Sequence, residues 1–323
     1  MKTRRLGKSG LKVTEVGLGC WQLGGDFGPI EDERAQAVLR AAREGGINFY
    51  DTADVYGDGR SERFVGAHLK PGELVATKVG RSPDLYPDGY TQQCVRDHVL
   101  SSVERLGGEQ LDLIQLHCVP PDLLARGEIF DWMRSLQQEG LCRAWGASVE
   151  TMEEAHTCLK QPGLTSLQII FNLFRQEAAT QLLDAASEAD VGIIVRVPLA
   201  SGLLSGKFTR ETEFAESDQR HFNRDGSAFS VGETFAGIPF EAGVDLVKDM
   251  SALKPEGWSM AQFALRWILD FDAVSTVIAG ASKPSQVHAN IAAADLPPLS
   301  DDVHQQLADF YASQVRQLVQ VPV

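Results

Sequence analysis

Two kinds of segment alternate along the chain. Short, nearly continuous apolar runs occupy residues 13–19, 47–53, 74–79, 111–118, 144–149, 166–172, 192–199 and 275–280. A run without alternation is the pattern of a strand buried on both faces. Between these runs, apolar residues recur three and four apart, as Ala35, Val38, Leu39 and Ala42 do within residues 32–44. That spacing predicts a helix with one buried face. The same reasoning places helices at 61–69, with Ser61 as its cap, around Val95, Val99, Val103 and Leu106, and from the Pro120-Pro121 break to Gly140. Further helices are expected at 152–160 and 177–189, from Ser259 with Ala264, Trp267, Ile268 and Phe271 buried, and from Pro284 and Ser300. A hairpin, residues 2–6 and 11–13 about Gly7-Lys8-Ser9-Gly10, precedes them all.

Strands that alternate with helices pair in parallel beneath a helical layer, and eight is the number that closes a barrel. The predicted fold is therefore α/β, a (β/α)8 TIM barrel with an N-terminal hairpin and extra C-terminal helices, in one domain over residues 1–323. An open doubly wound sheet is the competitor. Its glycine signature is incomplete here, because Gly17-Leu18-Gly19 is followed by Cys20-Trp21-Gln22. The long segment at about 208–240 is rich in Glu, Asp, Arg and Gly. With little core of its own, it is expected to be a lid that becomes ordered over a bound ligand.

Composition narrows the partners. A formal net charge of -14 repels nucleic acid and anionic membrane surfaces. The cysteines, Cys20, Cys94, Cys118, Cys142 and Cys158, are odd in number and lack a C-x-x-C pair, so no disulfide framework is expected. The N-terminus has no signal-peptide pattern, which makes a cytoplasmic location the expectation, and nothing in the sequence sets an oligomeric state. His156, His221, His288 and His304 show no ligand spacing, and no metal is expected.

The candidate chemistry lies at strand exits, the end of such a barrel where active sites sit. Asp51 closes the second run, Lys78 the third and His117 the fourth, and Tyr56 follows Asp51 in a loop broken by Gly57 and Gly59. Singly, these read as a turn cap, a surface lysine and a core histidine. Together, they suit proton donation to a carbonyl oxygen. A phenol with a pKa of about 10 is a weak acid near neutrality. An ammonium about 4 Å away favours its ionisation by roughly 4 kcal/mol, or about three pKa units, before burial opposes it. Asp51 would keep Lys78 charged. A second chemistry is open to the same lysine, a Schiff base in an aldolase-type lyase.

Asp51-Thr52-Ala53-Asp54-Val55-Tyr56-Gly57-Asp58-Gly59-Arg60-Ser61-Glu62, Thr77-Lys78 and Gln115-Leu116-His117 resemble signatures of the aldo-keto reductase superfamily. The resemblance runs from Leu6 to the C-terminal helices. It implies NADPH-dependent reduction of aldehydes or ketones, with Asp51, Tyr56, Lys78 and His117 as the catalytic set and Tyr56 as the general acid. It also implies an extended NADPH, with Pro198, Leu199, Gly202, Leu204 and Lys207 at the pyrophosphate. Gly280, Ser282, Lys283, Gln286 and Asn290 would then lie along the adenosine 2′-phosphate and adenine. Ser148 and Gln168 would hold the nicotinamide amide, where Val149 replaces a common asparagine. Arg196 stands where an aromatic commonly stacks on the ring, and Ala289 where an acidic residue often precedes Asn290. Trp21, Phe27 and Tyr86 are expected to wall a pocket for a small carbonyl substrate. The same superfamily includes channel-associated regulatory subunits, which leaves a non-enzymatic role as an alternative.

Overall fold

The computed structural model describes residues 1–322. Strands β1 (Thr3–Arg5) and β2 (Lys12–Thr14) pair antiparallel as the hairpin. The run at 13–19 is shared between two elements, because the chain leaves the hairpin at Glu15 and enters the barrel as β3 (Val16–Gly19). The barrel continues through β4 (Phe49–Asp51), β5 (Leu74–Val79), β6 (Leu111–His117), β7 (Cys142–Ser148), β8 (Ser166–Ile170), β9 (Gly192–Arg196) and β10 (Val274–Gly280). All eight strands are parallel, and β10 pairs with β3 to close the ring.

The barrel interior has an apolar floor and a polar mouth. Phe49, Ala76, Leu113, Ala144, Ile194 and Ile278 fill the floor, and Leu6, Leu11 and Val13 of the hairpin plug it from below. The hairpin turn fits because Gly7, at φ +50°, lies against β9, where a Cβ would come within 2.5 Å of the Gly192 nitrogen. One pleat higher on the same strands, the side chains change character. Ala76 gives way to Lys78, Leu113 to Gln115 and His117, and Ile194 to Arg196. The register pairs Lys78 with Gln115, His117 with Ser148, and Ser148 with Gln168, so these groups ring one end of the barrel.

Several expected elements are modified. Ser61 does not cap its helix, which spans Arg60–His68 behind Gly59 at φ +73°. Ser61 is buried instead, with its hydroxyl donating to the Cys20 carbonyl and accepting from Thr52. The helix expected to run to Gly140 is two helices, Pro121–Arg126 and Glu128–Gln138, parted by Gly127 at φ +83°. The one expected at 177–189 is broken at Leu182 into Ala178–Gln181 and Leu183–Glu188. A helix absent from the expectation, Phe240–Met250, packs Phe240, Leu246, Val247 and Met250 inward.

The lid segment does have a core. Phe208, Phe214, Phe235 and Phe240 pack on one another with centroids 5.0 to 6.0 Å apart, and the Arg220 guanidinium lies 4.5 Å over the Phe214 ring. The scattered aromatics, invisible as a period, supply what the glycines and charges lack. The expected C-terminal helices are Pro284–Ala292 and Asp301–Phe310. No helix among the described residues is long and apolar enough to cross a membrane.

Candidate active site

Asp51 and His117 end their strands, Lys78 sits one residue inside the end of β5, and Tyr56 lies in the turns that follow Asp51. The structure brings all four together. Lys78 Nζ lies 2.5 Å from Asp51 Oδ1, donates to the Thr52 carbonyl at 2.8 Å, and reaches Tyr56 Oη at 3.4 Å. The other Asp51 oxygen accepts from Gln115 Nε2 at 3.1 Å and Gln168 Nε2 at 2.8 Å. Asp51 is thus a carboxylate with every side supplied by a donor. Tyr56 is fixed between Trp21, which stacks on it at 5.6 Å, and the edge of His117 at 5.9 Å.

Burial and charge set the protonation states. Burial alone would strip Lys78 of its proton, yet the adjacent Asp51 carboxylate and Tyr56 oxygen hold its pKa above the ordinary lysine value. Burial likewise pushes Tyr56 up to about 12, against the pull of Lys78. Sequence reasoning weighed the pull of Lys78 on the phenol before any opposing burial. Desolvation outweighs that pull here, so Tyr56 carries its proton throughout the neutral range. Burial, with Arg81, Lys78 and Arg196 nearby, holds His117 well below the usual histidine value, and the ring is neutral. His117 Nδ1 is buried without a hydrogen-bond partner.

Two cavities meet at these residues. A trough of about 400 Å³ runs from Tyr56, His117 and Gln168 past Arg196, Pro198, Leu199, Gly202 and Lys207 to Gly280, Ser282, Gln286 and Asn290. A nicotinamide dinucleotide is long, has an amide at one end and carries anionic phosphates, and the donor set along this trough fits it. Arg196 Nε and Gln22 Oε1, lining the trough, are buried without hydrogen-bond partners. Val197, Ala200, Ser201 and Gly202 all take positive φ, curling the backbone after β9 against the trough. A Cβ on Gly202 would approach Phe208 to 3.0 Å, so the segment 208–240 packs tightly on that curl.

Three residues expected along the cofactor do not line the trough. Leu204 is buried beneath it, and Ser148 Oγ is turned to Gln168 Oε1 at 3.5 Å. Lys283 is exposed at the start of the helix Pro284–Ala292.

The second cavity, about 760 Å³, opens from Tyr56 and His117 toward Trp21, Tyr86, Phe229 and the C-terminal Val321 and Pro322. Tyr86 stands on its rim, 48% exposed, while Phe27 lines the trough instead. One wall is an ionic cluster that sequence reasoning missed. Arg81 bridges Glu150 and Glu233, each at 2.6 Å, and Glu233 also lies 3.2 Å from Arg196. Arg196 Nη2 donates to the Val149 carbonyl at 3.2 Å, so its guanidinium is held by the protein rather than free in the trough. Glu233 belongs to the lid, which this cluster fastens over the junction of the two cavities. The lid is joined to the loop after β3 as well, through Gln219 N donating to the Asp26 carbonyl at 2.8 Å.

The family profile described as Aldo/keto reductase family matches residues 15–312. Among curated proteins, the chain is 31% identical to the Bacillus subtilis protein named uncharacterized oxidoreductase YqkF, over 94% of each. It is 28% identical to a probable voltage-gated potassium channel subunit beta of Arabidopsis thaliana, over 93% of each. Among solved structures, the holo form of an aldo-keto reductase from Bacillus halodurans superposes with a TM-score of 0.78 at 29% identity, covering 96% of both chains.

Proposed function

The chain belongs to the aldo/keto reductase family, and from that premise we propose that it reduces aldehydes or ketones to alcohols with NADPH, Tyr56 acting as the proton donor. One observation carries the reading: Trp21, Tyr56, His117 and Glu233 line both the trough and the second cavity, so a molecule in each would meet at the Tyr56 hydroxyl. When bound, NADPH supplies the hydride that the carbonyl carbon receives.

The residues of the chain do the rest. Tyr56 Oη hydrogen-bonds the substrate oxygen and hands over its proton as negative charge builds there. The phenolate left behind faces the Lys78 ammonium, whose attraction in this dry setting lowers the cost of the transfer. Asp51 keeps that ammonium charged, and Gln115 and Gln168 keep Asp51 in place. Neutral His117 offers a hydrogen bond to orient the carbonyl. The ring of Trp21 and the lid fastened by Glu233 exclude water. Preference for NADPH over NADH would rest on the 2′-phosphate, to which we assign Ser282, Lys283 and the start of the helix Pro284–Ala292.

The lyase alternative needs Lys78 as a free amine, and its three contacts as a cation argue against that. A panel of carbonyl compounds followed by loss of NADPH absorbance, with NADH alongside, tests the proposal. Turnover of some member with NADPH is expected. Silence across the panel, with borohydride trapping of a substrate on Lys78, would reverse it in favour of the lyase.

A further inference from the structure

We infer that Asp84, Cys94 and His98 form a zinc-binding site on the outer face of the barrel, separate from the catalytic cavities. Cys94 and His98 are four apart in the helix Gln92–Leu106 and so project from one face, one turn above the other. Asp84 approaches from the preceding loop, its Oδ2 2.9 Å from His98 Nε2. Ligand atoms of the three side chains all lie within 4.8 Å of one another. The loop is anchored where it must be, since Ser82 accepts backbone bonds from Leu85 and Tyr86 and its hydroxyl donates to Asp84 Oδ1 at 2.6 Å.

A second feature behind the imidazole points the same way. Asp54 is 7% exposed, neither of its carboxylate oxygens has a hydrogen-bond partner, and Oδ2 lies 3.4 Å from His98 Nδ1. A carboxylate behind one ring nitrogen, with the other nitrogen on the Asp84 carboxylate, is the arrangement that orients and strengthens a metal-binding histidine.

The donor set selects the ion. One sulfur, one imidazole and one carboxylate suit four-coordinate Zn²⁺ with water in the fourth position, whereas Ca²⁺ and Mg²⁺ require oxygen ligands. Nε2 of His98 carries a proton toward Asp84 in the metal-free site, so as the Sγ–Zn and Nε2–Zn bonds form, the thiol proton and the imidazolium proton both leave to solvent. The other grouping of this kind among the described residues, Cys118 with Glu150 and Glu233, is unsuited, because Arg81 and Arg196 already supply its positive charge. The absence of metal spacing noted for His156, His221, His288 and His304 does not extend to His98, whose partner Cys94 stands at the helical interval.

Bound zinc would clamp the loop that carries Tyr86 to its helix and would take no part in hydride transfer. The test uses the whole protein stripped with chelator. Zn²⁺ is titrated in competition with a chromophoric chelator, and Co²⁺ is added separately to read thiolate-to-metal charge-transfer absorption. The expected result is one zinc per chain and a cobalt-thiolate band. Cys94→Ser should abolish that band, His98→Gln should weaken zinc by about tenfold or more, and Asp54→Asn by roughly ten- to hundredfold, with far-ultraviolet circular dichroism unchanged. The other four cysteines are buried, which ties the band to Cys94. Absence of stoichiometric zinc binding in the wild type, or a cobalt band that survives in Cys94→Ser, would overturn the site.

Discussion

The Lys78 ammonium and the Asp51 carboxylate lie 2.5 Å apart at the barrel mouth, with side chains only 1% and 3% exposed. Neither charge is tolerable there alone, because breaking a buried pair leaves an ion without water or partner. Asp51→Asn should therefore lower stability by about 3–5 kcal/mol. It should also let Lys78 lose its proton more readily, moving the alkaline limb of the reduction rate to lower pH. Urea denaturation and a pH–rate profile of the same variant measure both effects. Unchanged stability with an unchanged alkaline limb would mean that the pair does not hold the charge at Tyr56.

His117 gives stability a pH signature. Its folded pKa lies well below the unfolded value, so the unfolded chain binds more protons as pH falls through about 6.5. The stability it contributes is complete above that value and is lost on the acid side. His117→Gln should remove up to about 1.4 kcal/mol per pH unit from the slope of stability in that window. Urea midpoints of wild type and variant at about pH 7 and about pH 5 test this. Parallel slopes would contradict a buried neutral ring.

The strand ends were legible in the sequence for a physical reason. A strand buried on both faces is a continuous apolar run, so an ionisable residue at its end, as His117 is, or one residue inside it, as Lys78 is, stands out. Gln115 did not, because an amide inside such a run carries no signal until the register places it beside Asp51. The Arg81, Glu150, Glu233 and Arg196 cluster was hidden by distance along the chain, since four surface-like charges become one buried wall only when the lid folds back. Ser61 misled because capping preference is local, whereas Gly59, able to take positive φ, moved the helix start and left Ser61 to the interior. The helix Phe240–Met250 begins where the polar segment ends, in a stretch before Ser259 to which no element was assigned.

Glu233 fastens the lid through Arg81 and Arg196, and those cations hold its carboxyl below the ordinary glutamate value despite burial. Glu233→Gln keeps the shape and removes the charge. Cleavage within residues 208–240 by a dilute protease should accelerate by about tenfold, on the scale of about 1.4 kcal/mol lost from lid closure. NADPH should slow that cleavage in the wild type. Equal rates for both proteins, with and without cofactor, would count against a charge-fastened lid.

In the proposed function, Lys283, exposed at the start of the helix Pro284–Ala292, is the cation assigned to the 2′-phosphate. A charge-assisted bond of about 1.5–3 kcal/mol corresponds to roughly tenfold to a hundredfold in affinity. Lys283→Ala should weaken NADPH by that factor, leave NADH little changed, and lose much of its effect at high salt. Fluorescence titration of both cofactors separates this from a lysine that only solvates a helix start, which would show parallel changes or none.

The central claim is that the Tyr56 hydroxyl, held beside Lys78, donates the proton. Tyr56→Phe removes one oxygen and leaves the Trp21 stack and the trough walls in place. Single-turnover oxidation of pre-bound NADPH by a carbonyl substrate reads the chemical step directly. The account predicts a fall of about two orders of magnitude or more in that rate, with NADPH affinity preserved. A variant that turns over at a rate close to wild type would place the proton donor elsewhere.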